Sequence, residues 1–127
     1  MVESTLHKTL VIIIESWVKI NSPEEMIVYI DSEKSSSGNI PPRIDVFIPD
    51  VFAKGRNSER LIIGEAKSSQ RDLESEHSEK QLIAYLRHCK NKLNSVVILA
   101  VPFNIYNCAK SLLEAIKTEV LSFISPE

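Results

Sequence analysis

The chain has only two cysteines, Cys89 and Cys108, and neither sits in a CxxC or a Cys/His metal spacing. That excludes a disulfide scaffold and the common structural zinc motifs. Both cysteines fall in predicted helices, where a thiol acts as a small buried hydrophobe, and this usage fits a reducing cytosol. Long apolar runs are missing too. The longest, Leu10 to Ile14, is far short of the roughly 20 residues that cross a bilayer. Glu3 and His7 precede it, where a signal peptide would carry a basic start and a small-residue cleavage site. The expectation is a soluble, cytoplasmic protein with no membrane partner. There is no basic surplus: the formal net charge is -2, unlike a coat protein that binds nucleic acid through excess Lys and Arg. That balance leaves room for an enzyme meeting DNA through one local basic face. No repeat or composition break divides the chain.

What is present suits one α/β domain over residues 1–127. With 43% hydrophobic residues, the chain can build a packed core without staples. Leu6, Leu10, Ile13, Ile14 and Trp17 recur at helical spacing and predict an N-terminal helix. Ser22-Pro23-Glu24-Glu25 looks like a capping box, yet β-rich Met26 to Ile30 follows, so one helical turn feeding a first strand is expected. Ser35-Ser36-Ser37-Gly38 reads as a mobile loop. A second strand is expected from Arg43 to Ile48, stopped by Pro49, and a third from Leu61 to about Ser68. Helical spacing returns from about Ser75 to Leu93, with Leu82, Leu86, Cys89 and Leu93 on one face. Ser95 to Val101 reads as a buried strand, and Asn107 as the cap of a last helix through Leu112, Leu113, Ile116, Val120 and Phe123. The order is α-β-β-β-α-β-α, a central mixed sheet flanked by helices. Its late β-α-β unit implies a parallel pair.

Charged residues avoid strands covered on both faces, because an unpaired buried charge is very costly. The third strand breaks that rule: Leu61-Ile62-Ile63-Gly64 runs into Glu65-Ala66-Lys67. Alternation puts Glu65 and Lys67 on one face. The second strand carries Asp45 inside Ile44-Asp45-Val46-Phe47. If the two strands are neighbours, two carboxylates and an ammonium converge. Two hard oxygens, helped by the Ala66 backbone carbonyl, suit Mg²⁺ with sites left for water and phosphate. A nearby lysine can orient the nucleophile or share the anionic load. The triplet alone carries little weight in a chain with 25% charged residues, since Glu65 and Lys67 also fit a solvated pair at a strand end. Its apolar lead-in, the single Asp in the preceding strand and the following helix add to it. In that helix Gln81 and Tyr85 share a face. Gln81 also fits a cap in Ser78-Glu79-Lys80-Gln81, and Tyr85 an amphipathic edge residue. His77 and His88 read as surface residues. Arg71, Lys80, Arg87, Lys90 and Lys92 make the segment locally basic.

These residues resemble the PD-(D/E)XK nuclease superfamily, the restriction-endonuclease-like fold. Arg43 to Asp50 looks like its Asp-bearing strand and Leu61 to Ser68 like its E-x-K strand. Gln81-Leu82-Ile83-Ala84-Tyr85 is similar to the Q-x-x-x-Y helix of the branch found in helicase-linked exonucleases. The resemblance spans Arg43 to Val101. It implies a metal-dependent deoxyribonuclease in which Asp45 and Glu65 bind Mg²⁺, with Mn²⁺ as a substitute. Lys67 would assist the attacking water, and Gln81 with Tyr85 would support the site or touch substrate. The acidic residue that many members carry in the first helix would fall at Glu15 or Glu3, and Glu15 is carried forward as a metal ligand. Asp50, following Pro49, reads as a turn former. The rival reading is a non-catalytic accessory or binding domain of the same fold. The expected partners are DNA and either a second copy, in a homodimer joined through the last helix, or a DNA-binding subunit.

Overall fold

In the computed structural model, residues 4–31 and 40–124 are described, with side chains described as far as Lys117 in the last helix. Helix α1 (Thr5–Asn21) starts where Ser4 Oγ accepts the amide of His7 at 3.0 Å, filling one of the donors a helix start leaves unpaired. Strands β1 (Met26–Ile30), β2 (Val51–Gly55) and β3 (Leu61–Ala66) follow, then a one-turn α2 (Gln70–Leu73) and α3 (Glu76–Cys89). Strand β4 (Val96–Ala100), a 3₁₀ turn at Phe103–Ile105 and α4 (Tyr106–Ile124) complete the chain. The four strands lie in sequence order, with β1–β2 and β2–β3 antiparallel and β3–β4 parallel. This is an α/β protein with an open mixed sheet.

Alternation along β3 sorts its residues between two layers. Ile62 packs with Val18 and Ala53, and Ala66 with Leu10, Val11, Ile14 and Val51, so the even positions face α1. Leu61 and Ile63 pack with Phe52, Leu82, Tyr85 and Ile116, so the odd positions face α3 and α4. Glycine is required at position 64, because a Cβ there would lie 2.5 Å from Ile14 Cγ2. Its absence lets α1 settle on the sheet. Every residue of β3 is buried, as suits a central strand covered on both faces.

Several expected boundaries move. Ser22 to Glu25 form no helical turn: α1 ends at Asn21 with Ser22 as its C-cap, and the chain bends into β1. Helix α3 stops at Cys89, leaving Leu93 78% exposed beyond it, and Asn94 takes a left-handed φ of 61° in the turn to β4. Asn107 lies inside α4 rather than capping it. The Ser35–Gly38 loop falls outside the described residues.

The largest correction concerns Arg43 to Ile48, which is a tight turn and not a strand. The Ile44 amide donates to the Phe47 carbonyl at 2.7 Å, and the Phe47 amide donates back at 3.0 Å. Asp45 sits between them at φ 59°, a region where Asp is among the few tolerated non-glycine residues. Ile44 and Phe47 both reach the core while Val46 is 69% exposed. The apolar alternation of Ile44, Val46 and Ile48 looks like a strand, yet Val46 and Ile48 are exposed and Phe47 turns inward instead. The strand begins instead at Val51, immediately after Pro49-Asp50.

Candidate active site

Glu65 and Lys67 come from the α3-facing side of β3 and its continuation. The Lys67 amide donates to the Ala100 carbonyl of β4 at 3.0 Å, so the parallel ladder holds the backbone one residue beyond the strand. Both side chains are buried, at 6% and 4% exposure. Two buried charges would be untenable without partners. Their partners come from α3, which lays Gln81 and Tyr85, one helical turn apart, against them.

The result is a closed ring. Lys67 Nζ donates to Gln81 Oε1 at 2.7 Å. Gln81 Nε2 donates to the Tyr85 hydroxyl at 3.1 Å, and that hydroxyl donates to Glu65 Oε1 at 3.1 Å. Lys67 Nζ stands 3.8 Å from Glu65 Oε2, which completes the circuit. The glutamine amide serves as a polarity converter, with its carbonyl toward the ammonium and its NH₂ toward the phenol. Burial, then the Glu65 carboxylate, push the Tyr85 hydroxyl above its ordinary range, so it remains a donor.

Asp45 is not part of this cluster. It is exposed at its turn and lines a separate open cavity with Lys80, Arg87 and His88. The carboxylate beside Glu65 belongs to Asp50. Val51 pairs with Gly64, and continuing that antiparallel register sets Asp50 opposite Glu65. Asp50 Oδ2 accepts the Ala66 amide at 2.8 Å. Because the amide and carbonyl of an extended residue point to the same side, the Ala66 carbonyl lies on the Asp50 side of β3. Asp50 Oδ1 lies 3.3 Å from His7 Nε2 on α1. Burial first, then the charge of Asp50, push the Glu65 carboxyl up to about 9, while Lys67 pulls it the other way.

A further carboxylate stands on the next strand. The Asp31 amide donates to the Asp50 carbonyl at 2.9 Å, extending the β1–β2 register. The Asp31 pKa is raised, by partial burial and by Asp50, with His7 opposing. Asp31, Asp50 and Glu65 therefore occupy successive register positions at one end of three strands. Among the described residues, no group of three or more His, Cys, Asp or Glu side chains stands at metal-holding spacing.

Comparisons with family models, curated proteins and solved structures found no match to this chain. Glu15 pairs with Lys19 at 3.5 Å on α1 and is not among the partners of Asp50 or Glu65, while Glu3 lies outside the described residues. Gln81 is not a cap: Ser75 caps α3 by accepting the Ser78 amide at 3.1 Å, and Ser78 is a buried residue of the first turn. His77 and His88 are exposed, with the His77 ring edge-on to Phe47 at 5.3 Å. The reading from sequence missed Asp50, His7 and Asp31. Asp50 had a signal, the burial implied by a strand starting just after it. His7 had none, since only the docking of α1 brings it across.

Proposed function

We propose that the chain is a metal-dependent phosphodiester hydrolase acting on DNA, built on a restriction-endonuclease-like fold, with Asp50, Glu65 and Lys67 as its centre. The observation that carries this reading is the Asp50–Glu65 pair. Burial first, and the Asp50 charge opposite it second, hold the Glu65 carboxyl protonated near neutral pH against the pull of Lys67. A divalent cation would favour the ionised pair, and two hard oxygens with a nearby backbone carbonyl fit Mg²⁺ or Mn²⁺. On this reading Pro49-Asp50, rather than Asp45, would be the PD element and Glu65-Ala66-Lys67 the E-x-K element of the resemblance.

Asp50, Glu65 and the Ala66 carbonyl would hold the ion. When bound, it would lower the pKa of a coordinated water and offset charge on the phosphorus. Lys67, fixed by Gln81, holds its ammonium beside Glu65, where it orients the nucleophile or meets a phosphate oxygen. Tyr85 restrains Glu65 in one rotamer. His7 bears on Asp50 from the opposite layer and holds that carboxylate in place. Side chains fixed this way cost little to reorganise during reaction.

One observation favours a non-catalytic domain of the same fold: the ring is already self-satisfied and its members are buried. Incubation with plasmid and single-stranded DNA in Mg²⁺ or Mn²⁺ separates the two readings. The hydrolase reading expects cleavage that EDTA stops and that Glu65→Gln removes. A folded protein with no cleavage in either metal would favour the binding domain. A homodimer or DNA-binding partner belongs to the same proposal. Of the apolar stripe of α4, Ile116 is buried and Leu112 and Leu113 are partly buried against the core.

A further inference from the structure

An open cleft of about 630 Å³ lies between the end of α3, the start of β4 and α4. It is remote from the Glu65 ring: Gln81 and Cys89 stand about 12 Å apart along the helix axis. Its floor is apolar, made by Leu86, Val97 and Leu113 with the Cys89 thiol. That thiol is raised to about 11, chiefly by burial, and so presents a neutral surface. Its rim is basic. Lys90, Lys92, Lys110 and Lys117 stand against a single carboxylate, Glu114, on a chain whose net charge is -2.

The volume falls in the range of small-molecule sites, roughly 300–1,000 Å³. Four ammonium groups around an aliphatic floor match a ligand with a body that can lie on apolar side chains and a multiply charged end. Lysine meets phosphate as a mobile point charge and needs no bidentate geometry. We infer that this cleft binds a nucleoside phosphate, its base on the Leu86–Val97–Leu113 floor and its phosphates among Lys92, Lys110 and Lys117. The inference is independent of any reading of the Glu65 centre.

Calorimetric titration of the whole chain with ADP in EDTA tests it, because the acidic centre then has no metal to recruit phosphate. ADP binds one site, while pyrophosphate and adenosine each bind at least about tenfold more weakly, one lacking the body and the other the charge. Lys92→Glu and Lys117→Glu, on different elements, each weaken ADP by about tenfold or more. Lys54→Glu makes the same charge change on β2 and leaves the affinity within about twofold. Methyl resonances of Val97 and Leu113 shift on ADP addition. No ADP binding at millimolar concentration would overturn the inference. So would pyrophosphate binding as tightly as ADP, equal losses in all three variants, or methyl shifts confined to other residues.

Discussion

Gln81 is the residue on which the electrostatics of the centre turn, because its neutral amide hydrogen-bonds both Lys67 and Tyr85. Gln81→Ala leaves a buried ammonium with only a long contact to Glu65 and removes the donor to Tyr85. The expected result is a drop in kcat of about tenfold or more. Stability should fall as well, by about 1–3 kcal/mol, because buried partners lose their hydrogen bonds. Tyr85→Phe deletes one hydroxyl and keeps the ring packed against Phe47 at 6.4 Å. Its effect should fall on activity, through a less restrained Glu65, with Tm moved less than in Gln81→Ala. Equal kcat in wild type and Tyr85→Phe would show that the hydroxyl does not restrain Glu65. These four residues were legible from sequence. Glu65 and Lys67 are charges in a buried strand, and Gln81 and Tyr85 stand out by their four-residue spacing and the Q-x-x-x-Y resemblance, although their burial beside Leu82 and Cys89 emerges only in the structure.

At the scale of elements, the decisive contact is α1 on the sheet. Ile14 is fully buried over Gly64, and the same docking carries His7 to Asp50. Gly64→Ala forces Ile14 or the helix to move, with an expected loss of about 1–3 kcal/mol from overpacking. Thermal melts of Gly64→Ala, Ile14→Ala and the double variant check this as a cycle, since alanine at position 14 lacks the Cγ2 atom that the new Cβ would meet. Gly64→Ala should cost less in the Ile14→Ala background than in the wild type; an equal cost in both would place the strain elsewhere. Periodicity made α1, β1, β3 and β4 readable. It failed at Arg43 to Ile48, where Ile44, Val46 and Ile48 alternate like a strand but a two-residue turn buries Ile44 and Phe47 and leaves Val46 and Ile48 exposed. Asp45 marked that turn, and Pro49-Asp50 marked the strand start. The two aspartates were read in each other's roles because a buried Asp and a turn Asp differ only in tertiary surroundings.

For the whole molecule, the raised Glu65 pKa makes stability depend on pH in a definite direction. The unfolded carboxyl ionises near its ordinary value of 4.5, and the folded one near 9. Between those values the folded protein holds a proton that the unfolded chain has released, so stability falls as pH rises through the window. Below it both states are protonated and no penalty applies. The slope is at most about 1.4 kcal/mol per pH unit. In EDTA, Tm should therefore decline from pH 6 to pH 9, and Glu65→Gln should flatten the decline. A Tm in EDTA that rises across that range would contradict the direction. Mg²⁺ or Mn²⁺ should raise Tm more at pH 9 than at pH 6, because the ion competes with that proton. No helix of the described residues is long and apolar enough to cross a membrane. The exposed large apolar side chains include Ile13 and Ile20 on α1, on the opposite side from its buried residues.

The central claim is that Asp50, and not Asp45, is the second carboxylate of a metal-dependent centre. The most direct test compares Mn²⁺-dependent DNA cleavage by the wild type, Asp50→Asn and Asp45→Asn, each shown to be folded by its melt. Both substitutions remove one negative charge and keep the side-chain shape. Asp50→Asn should lose cleavage by about a hundredfold or more, and Asp45→Asn should stay within a few-fold of wild type. Loss in Asp45→Asn with Asp50→Asn still active would contradict the account.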